Sequence, residues 1–457
     1  MSSLVLFTRD LRVHDQPALD AAARAGGSCV PLFVRDQELL QRSPNRSRFL
    51  MQSLADLDHA LTRLGSPLVM REGDVVARTL DVVGEVKVDE VHLTDDVTGL
   101  AQRRERDLRH ALAAHGVELH VHPGNAVVEP GHVAPPGKRV YSVFTPYHRA
   151  WAQVPCRAVL TPPPRLVAPD ADLDPGPRPD PSGVQADSPD LPDGGESAAR
   201  ERLESYLAGG PTGAARYGDL RNDLAADATS RLSPYLRFGC VSANEVVARA
   251  TAVPGAGELV RQIAWRDFYG QLLAHDPTIA WRDFREPPGD VPPAPEHADE
   301  LFERWQLGRT GIPLVDAGMR QLRSEGFMHN RARMVTASFL TRRLGIAWQR
   351  GAAHFFRWLV DGDPANNSGG WQWVAGTGTD PRRSRSFNPV RQAERFDPDG
   401  TYVRRYVSEL ADVQAPQIFA PWWDLDLLEM TGYPAPILEV PSTTPKASRS
   451  DALTLPL

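Results

Sequence analysis

The proline-rich run TPPPRLVAPDADLDPGPRPDPSGVQADSPDLPDGG, residues 161–195, constrains the fold most. Proline fixes φ and donates no backbone N–H, so this run sustains neither a helix nor a sheet ladder. It predicts an extended connector over the surface. The chain differs in texture on its two sides. Before it, the runs SLVLF, CVPLFV, PLVMR, EVHLT and ELHVH alternate with helical stretches such as 47–64 and 99–115. That rhythm predicts an α/β unit with a doubly wound parallel sheet. After it, ESAARERLESYL, NEVVARAT, GELVRQIAWRDFYGQLLAH, PLVDAGMRQLRSEG and AAHFFRWLV carry helical periodicity, with no strand pattern between them. This predicts a large all-α domain. The expected divisions are 1–128 for the sheet, 129–196 for the connector and 197–440 for the helices. The Ser/Thr/Pro tail 441–457 is expected to be disordered. Within the connector, YSVFTPYHRAW (141–151) is apolar enough to dock onto a domain.

One helical stretch is too polar for a plain core. Residues 328–373 hold Asn330, Arg331, Arg333, the turn Asp361-Gly362-Asp363, the pair Asn366-Asn367, and Trp348, Trp371 and Trp373. Buried polar groups need partners, so this stretch predicts the floor of a ligand site. Asn330, Arg333 and Met334 are spaced i, i+3, i+4 and share a helix face. Arg331 points about 100° away. If Gly369 and Gly370 precede a helix, Trp371 and Trp373 diverge by about 200°, one toward the interior and one toward an open cavity. A second cluster joins Tyr217 and Arg221 to TSRLSPYLRFG, 229–239. Thr229 and Ser230 predict an N-cap, and a helix start beside Arg231 suits a phosphate or pyrophosphate. A third cluster is QIAWRDF, 262–268, where Gln262 and Trp265 share a face. An amide beside an indole suits a base edge and a base plane.

Composition narrows the classes. With 457 residues the chain can build two or three domains with large cores. No apolar run approaches the ~18 residues of a membrane span. The opening MSSLVLFTRD enters a strand-like run, which predicts no signal peptide. Cys29, Cys156 and Cys240 form no CxxC, against a disulfide framework or a cysteine zinc site, and fit a reducing cytoplasm. The net charge of −7 argues against a generic nucleic-acid coat. Arginine is nevertheless dense from 331 to 405, including Arg342, Arg343, Arg382, Arg383, Arg385 and Arg391. Such a local basic face can grip phosphates. No GxGxxG follows the first strand; its turn is Thr8-Arg9-Asp10-Leu11-Arg12.

The segments LVLFTRDLRVHDQPAL, VFTPYHRAW, TSRLSPYLRFG, QIAWRDFY, GRTGIPLVDAGMRQL, MHNRARM, DGDPANNSGGWQW and FNPVRQAERFDPDGTYVRRYV occur in one order from about residue 3 to 440. Together they resemble the photolyase/cryptochrome family, and most closely class I bacterial cyclobutane pyrimidine dimer photolyases. The resemblance implies a Rossmann-like antenna domain followed by an all-α domain holding a U-shaped FAD. It implies that Tyr217, Thr229, Ser230, Arg231, Leu232 and Ser233 hold the phosphates and ribityl. Arg333 is expected to pair with Asp361 beside the flavin ring, with Asp361, Gly362 and Asp363 at its polar edge. Asn367 is expected near flavin N5, and Asn330 between cofactor and lesion. Lesion or DNA contact is implied for Arg221, Gln262, Trp265, Arg266, Asn330, Arg331, Met334 and Trp373, with the indoles of Trp265 and Trp373 as walls around a flipped dimer. Asn330 and Met334 stand where (6-4) photolyases carry a histidine pair, which favours cyclobutane dimers. The implied chemistry is light-driven electron transfer from reduced FAD, with no metal and no side-chain nucleophile. The expected partner is single- or double-stranded DNA carrying dimers. The expected protein is a cytoplasmic monomer with no membrane association. A cryptochrome-like photoreceptor is the alternative, against which Trp265, Arg331, Trp373 and Asn367 stand.

Three positions depart from that pattern. Gln262 replaces a frequent Glu, so it keeps a hydrogen bond and loses a proton. Trp371 and Trp348 match the inner members of the flavin-reducing tryptophan chain, but nothing from 282 to 304 is Trp or Tyr. Photoreduction is then expected to be slow or to exit through Trp281 or Trp305. Gln102-Arg103 stands where folate-binding members carry Asn-Glu, which favours an 8-hydroxy-5-deazaflavin antenna, or none, over folate.

Overall fold

The computed structural model describes residues 2–170, 172–380 and 386–438. The expected disordered tail 441–457 and Arg382, Arg383 and Arg385 lie outside these. Five parallel strands, β1 (Ser2–Phe7), β2 (Ser28–Arg35), β3 (Val69–Glu72), β4 (Glu90–Thr94) and β5 (Glu118–His122), form one sheet in the order β3-β2-β1-β4-β5. β1 pairs with β2 from Ser2↔Ser28 to Phe7↔Phe33 and with β4 from Ser3↔Glu90 to Leu6↔Leu93. Helices cover both faces, which explains why the central strands read as nearly continuous apolar runs.

Strand alternation splits the sheet between two cores. Leu4, Leu6, Val30 and Leu32 pack with Val82, Val83, Leu108 and Leu112 of the helices Val75–Val86 and Gly99–Ala113. Val5, Phe7 and Phe33 point the other way, to helices Pro17–Ala25 and Pro44–Leu64. That second core runs on into Tyr235, Trp265 and Phe268 of the helical half. The halves are also joined by polar ties. Arg12, wholly buried, donates to the carbonyls of Asp15, Gly124 and Gly239. Glu196 accepts from the amides of Val13 at 2.7 Å and His14 at 3.0 Å.

The proline-rich connector stays close to the protein. Its Pro175 carbonyl accepts from Met70 N at 2.8 Å and its Val167 carbonyl from Cys29 N at 2.8 Å. Pro175 thus meets β3, an edge strand of the sheet. Gly176 has φ +72°, and a Cβ there would come within 2.1 Å of the Met70 oxygen, so the approach requires glycine. The apolar piece of the connector forms the helix Phe144–Trp151. Phe144 stacks on Trp265 at 3.7 Å, with 9° between the rings.

Beyond Glu196 every described element is helical. Trp305, Val315, Met319, Leu322, Val335, Leu340 and Phe355 form its separate core. No helix among the described residues is long and apolar enough to cross a membrane.

Candidate flavin and lesion site

Helices Gly257–His275, Asn330–Ser338 and Pro364–Ala375, with residues 229–237, enclose a cavity of about 320 Å³. That volume falls in the range of small-molecule sites. Asn330, Arg333 and Met334 all line it, as their spacing predicts. His329 caps their helix, its Nδ1 accepting from Arg331 N at 3.1 Å. Burial, then Arg331 and Arg231, push the His329 pKa down to about 3, so it stays a neutral acceptor. Arg331 turns away from the cavity. It donates to Asn222 Oδ1 at 2.6 Å, and its guanidinium lies 4.4 Å over the Phe396 ring.

Arg333 donates to Asp361 Oδ2 at 2.8 Å, and Ser233 Oγ donates to the same oxygen at 2.6 Å. The other oxygen, Oδ1, is buried with no protein partner among the described residues. Asp363 binds Arg9 across the two halves at 2.7 Å. Burial raises the Asp363 pKa, but Arg9, Arg237 and the Asn366 N–H outweigh it, so the group lies below the usual carboxylate range. Asn367 donates its Nδ2 to the Ala352 carbonyl at 3.0 Å, which leaves its oxygen as the uncommitted end.

Two local expectations are corrected. Thr229 and Ser230 do not cap a helix. The helix begins at Ser233 with Leu232 at the cap position, because Pro234 fits only the first turn and Arg231 has φ +49°. Both residues still line the cavity, with Tyr217, Arg231, Leu232 and Ser233. Arg231 is not free for a phosphate alone, since Asp227 and Glu325 each meet it at 2.7 Å. Gly369 and Gly370 do not precede a helix; they lie inside Pro364–Ala375. Asp363 caps it through Asn366 N, and an Asp-Pro start is a stronger signal than a glycine pair. Both Trp371 and Trp373 line the cavity. Trp371 leans on Phe355 at 4.9 Å, and Trp373 Nε1 donates to Asp380 at 2.9 Å.

Gln262, Trp265, Arg266, Gly362 and Asp363 also line the cavity; Arg221, Arg331 and Trp348 do not. Arg221 pairs with Glu258 at 2.8 Å. Trp348 is buried and donates its indole N–H to Asp283 at 2.6 Å. Sequence reasoning missed Arg237, Tyr269 and Phe355 as lining residues. Arg237 could have been found, four residues after Ser233 in the same motif.

The lining suits a large, partly polar, partly aromatic group. Thr229 Oγ1, Gln262 Nε2, Trp265 Nε1 and Asp361 Oδ1 are buried with no protein partner among the described residues, and all four residues line this cavity. Such orphaned atoms carry a cost that a ligand's polar groups can offset. A Cβ on Gly370 would meet no atom within 4 Å, so the helix backbone there adjoins open cavity. Hydroxyls, an Arg–Asp pair and apolar rings in one lining are a donor set that fits FAD.

Comparison with known proteins agrees. The profile of the DNA photolyase family matches residues 3–168, and that of the FAD binding domain of DNA photolyase matches residues 259–450. A deoxyribodipyrimidine photo-lyase of Streptomyces griseus is 46% identical over 468 residues, covering 99% of each chain. The structure of a Synechocystis cryptochrome superimposes with a TM-score of 0.88 at 28% identity, covering 96% of both chains. A class III photolyase from Agrobacterium tumefaciens gives 0.85 at 32% identity, covering 96% of this chain and 94% of that one. The helical half is therefore an FAD-binding domain, and the chain belongs to the photolyase/cryptochrome family.

Proposed function

We propose that the protein is a deoxyribodipyrimidine photo-lyase that holds FAD in the central cavity and splits cyclobutane pyrimidine dimers in DNA under light. One observation carries this reading. A single cavity lining runs from the hydroxyls of 229–233, through the Arg333–Asp361 pair, to the indoles of Trp265 and Trp373. Bound, reduced FAD supplies a photoexcited electron that opens the cyclobutane ring. The chain's share is positioning and electrostatics. Tyr217, Thr229, Ser230, Leu232 and Ser233 would hold the phosphates and ribityl, with Arg231 adding charge while tied to its two carboxylates. Arg333 would place a positive group beside the ring and is itself anchored by Asp361 and the Met328 carbonyl. Asn367 offers a carbonyl oxygen, which accepts a hydrogen bond and gives up no proton. Gln262, Trp265, Asn330, Met334 and Trp373 would receive the flipped dimer, which is already poorly stacked. Arg331 stands near Arg221 and Arg395, whose charges, after burial, bring its pKa down to about 10. A positive cluster of that kind suits a backbone phosphate beside the lesion.

The division 1–128, 129–196 and 197–440 is proposed as antenna unit, connector and catalytic unit. The protein is proposed to act as a cytoplasmic monomer on single- and double-stranded DNA. The antenna is proposed to be of the deazaflavin type, because Gln102 Nε2 is occupied by the Val97 carbonyl at 3.2 Å and Arg103 replaces an acid. Chromatography of the released chromophores tests this, and a folate peak would overturn it. The activity test mixes reduced, FAD-loaded protein with dimer-containing oligonucleotides, single- and double-stranded, in light and in darkness. Dimer loss only in light is expected; equal loss in both sinks the assignment.

A further inference from the structure

We propose that Asp283 makes Trp348 the terminal, proton-coupled electron donor when light reduces the flavin. The inference rests on the reading that Trp371 and Trp348 carry electrons toward the cofactor.

Trp371 lines the cavity. Its six-membered ring lies against Gly351, where a Cβ would come within 2.2 Å of Trp371 Cη2. Gly351 is three residues from Trp348 in the helix Trp348–Trp358, so the two indoles meet the same helix one turn apart. Trp348 itself is 4% exposed. Its N–H nevertheless ends on a carboxylate, Asp283, at 2.6 Å. Asp283 is exposed, so the buried indole has a carboxyl proton acceptor in contact with water.

Trp305 and Trp281, the other expected exits, lack this combination; Trp373 also ends on a carboxylate, Asp380 at 2.9 Å, but it lines the cavity itself. Trp305 meets Trp371 at 6.1 Å but is sealed from solvent, and its N–H is bonded to the Thr336 carbonyl at 3.1 Å. An amide oxygen takes up no proton at neutral pH, so a hole on Trp305 keeps its charge and is free to return. Trp281 is 57% exposed, and no carboxylate accepts from its N–H among the described residues. A carboxylate in hydrogen-bond contact favours a positive charge on the indole and then removes it by taking the proton.

Trp371 gives one electron to the photoexcited oxidised flavin and is refilled by one electron from Trp348. The Nε1–H bond of Trp348 then breaks, its electron pair stays on nitrogen, and the proton passes to Asp283 and on to water. A thiol in solution restores Trp348 by giving up one hydrogen atom and becoming a thiyl radical. The loop holding Asp283 does not depend on this contact. Gln372 accepts from Phe284 N at 2.8 Å and donates to the carbonyls of Ile279 at 2.7 Å and Arg282 at 3.1 Å, and Ser368 donates to Ala280 O at 2.9 Å.

The test is transient absorption of the full-length, FAD-loaded, oxidised protein after a blue pulse, in water and in deuterium oxide. Flavin occupancy and melting temperature are recorded for each variant. The unmodified protein is expected to form a long-lived neutral tryptophanyl radical, more slowly in deuterium oxide. Asp283→Asn is expected to shorten the charge-separated lifetime about tenfold or more, equivalent to about 1.4 kcal/mol, and to leave the cation-radical spectrum. Asp283→Glu is expected to restore the neutral radical. Steady photoreduction with dithiothreitol should fall in parallel. An Asp283→Asn protein with unchanged lifetime and isotope effect overturns the inference. So does loss of the long-lived radical in Trp281→Phe. If Trp348→Phe leaves the signal intact, the route through Trp348 fails, and the inference with it; a loss there combined with an unchanged Asp283→Asn rejects only the role of Asp283.

Discussion

Two side chains show what single residues contribute, one inside the cavity and one outside it. Trp373 presents one indole to the cavity and spends its N–H on Asp380. Trp373→Ala is expected to weaken binding of dimer DNA by about 1–3 kcal/mol, the worth of one base–aromatic stack, while FAD stays bound. Fluorescence anisotropy alongside flavin absorbance checks it, and loss of FAD would place the indole in the cofactor shell. Glu129 makes a different point. Burial, then Asp95, push its pKa well above the ordinary 4.5, and between the ordinary and the raised value it folds carrying a proton. Folding therefore takes up a proton over that interval, and stability falls as pH rises through it, by at most about 1.4 kcal/mol per pH unit. Glu129→Gln removes that slope. Its melting temperature is expected to exceed that of the unmodified protein, by more at about pH 9 than at about pH 6. An equal gain at both would mean that Glu129 is ionised in the fold.

Elements were more legible in the sequence than their ends. The i, i+3, i+4 spacing of Asn330, Arg333 and Met334 placed them on one wall, because a helix repeats regardless of its neighbours. The start of Pro364–Ala375 was misjudged, because glycines suggest a break until the tertiary reason for them is visible. That reason is Tyr269, whose ring would lie 2.2 Å from a Cβ at position 369. Gly369→Ala is therefore expected to destabilise the protein by about 1–3 kcal/mol, read as a lower melting temperature. Gly370→Ala, pointing into open space, is expected to keep the melting temperature of the FAD-free protein and to weaken FAD binding. Opposite results at the two positions would reverse the assignment of these faces. The contact of Phe144 with Trp265 left no periodic trace, because it joins residues 121 positions apart.

At the level of the whole molecule, the two halves share a core and several polar ties. Arg9, in the first turn of the sheet, reaches both Asp96 and Asp363. The sequence showed an arginine-rich turn there but not its partner, 354 residues away. Arg9→Ala leaves Asp363 without its inter-half partner and is expected to cost about 3–5 kcal/mol of unfolding free energy, measured in denaturant. Because the folded pKa of Asp363 lies below its ordinary 3.8, this contribution is present above that pH and fades only as acid carries the group through its lower folded value. Melting temperatures that drop already between about pH 7 and 5 would assign the acid sensitivity to other groups.

The contact of Pro175 and Gly176 with Met70 has a practical consequence for dividing the chain. A fragment ending before the connector would bare the Met70 amide on the edge strand β3, a template for joining a second sheet. Such a fragment is expected to self-associate on expression, whereas one extended through residue 176 carries its own guard.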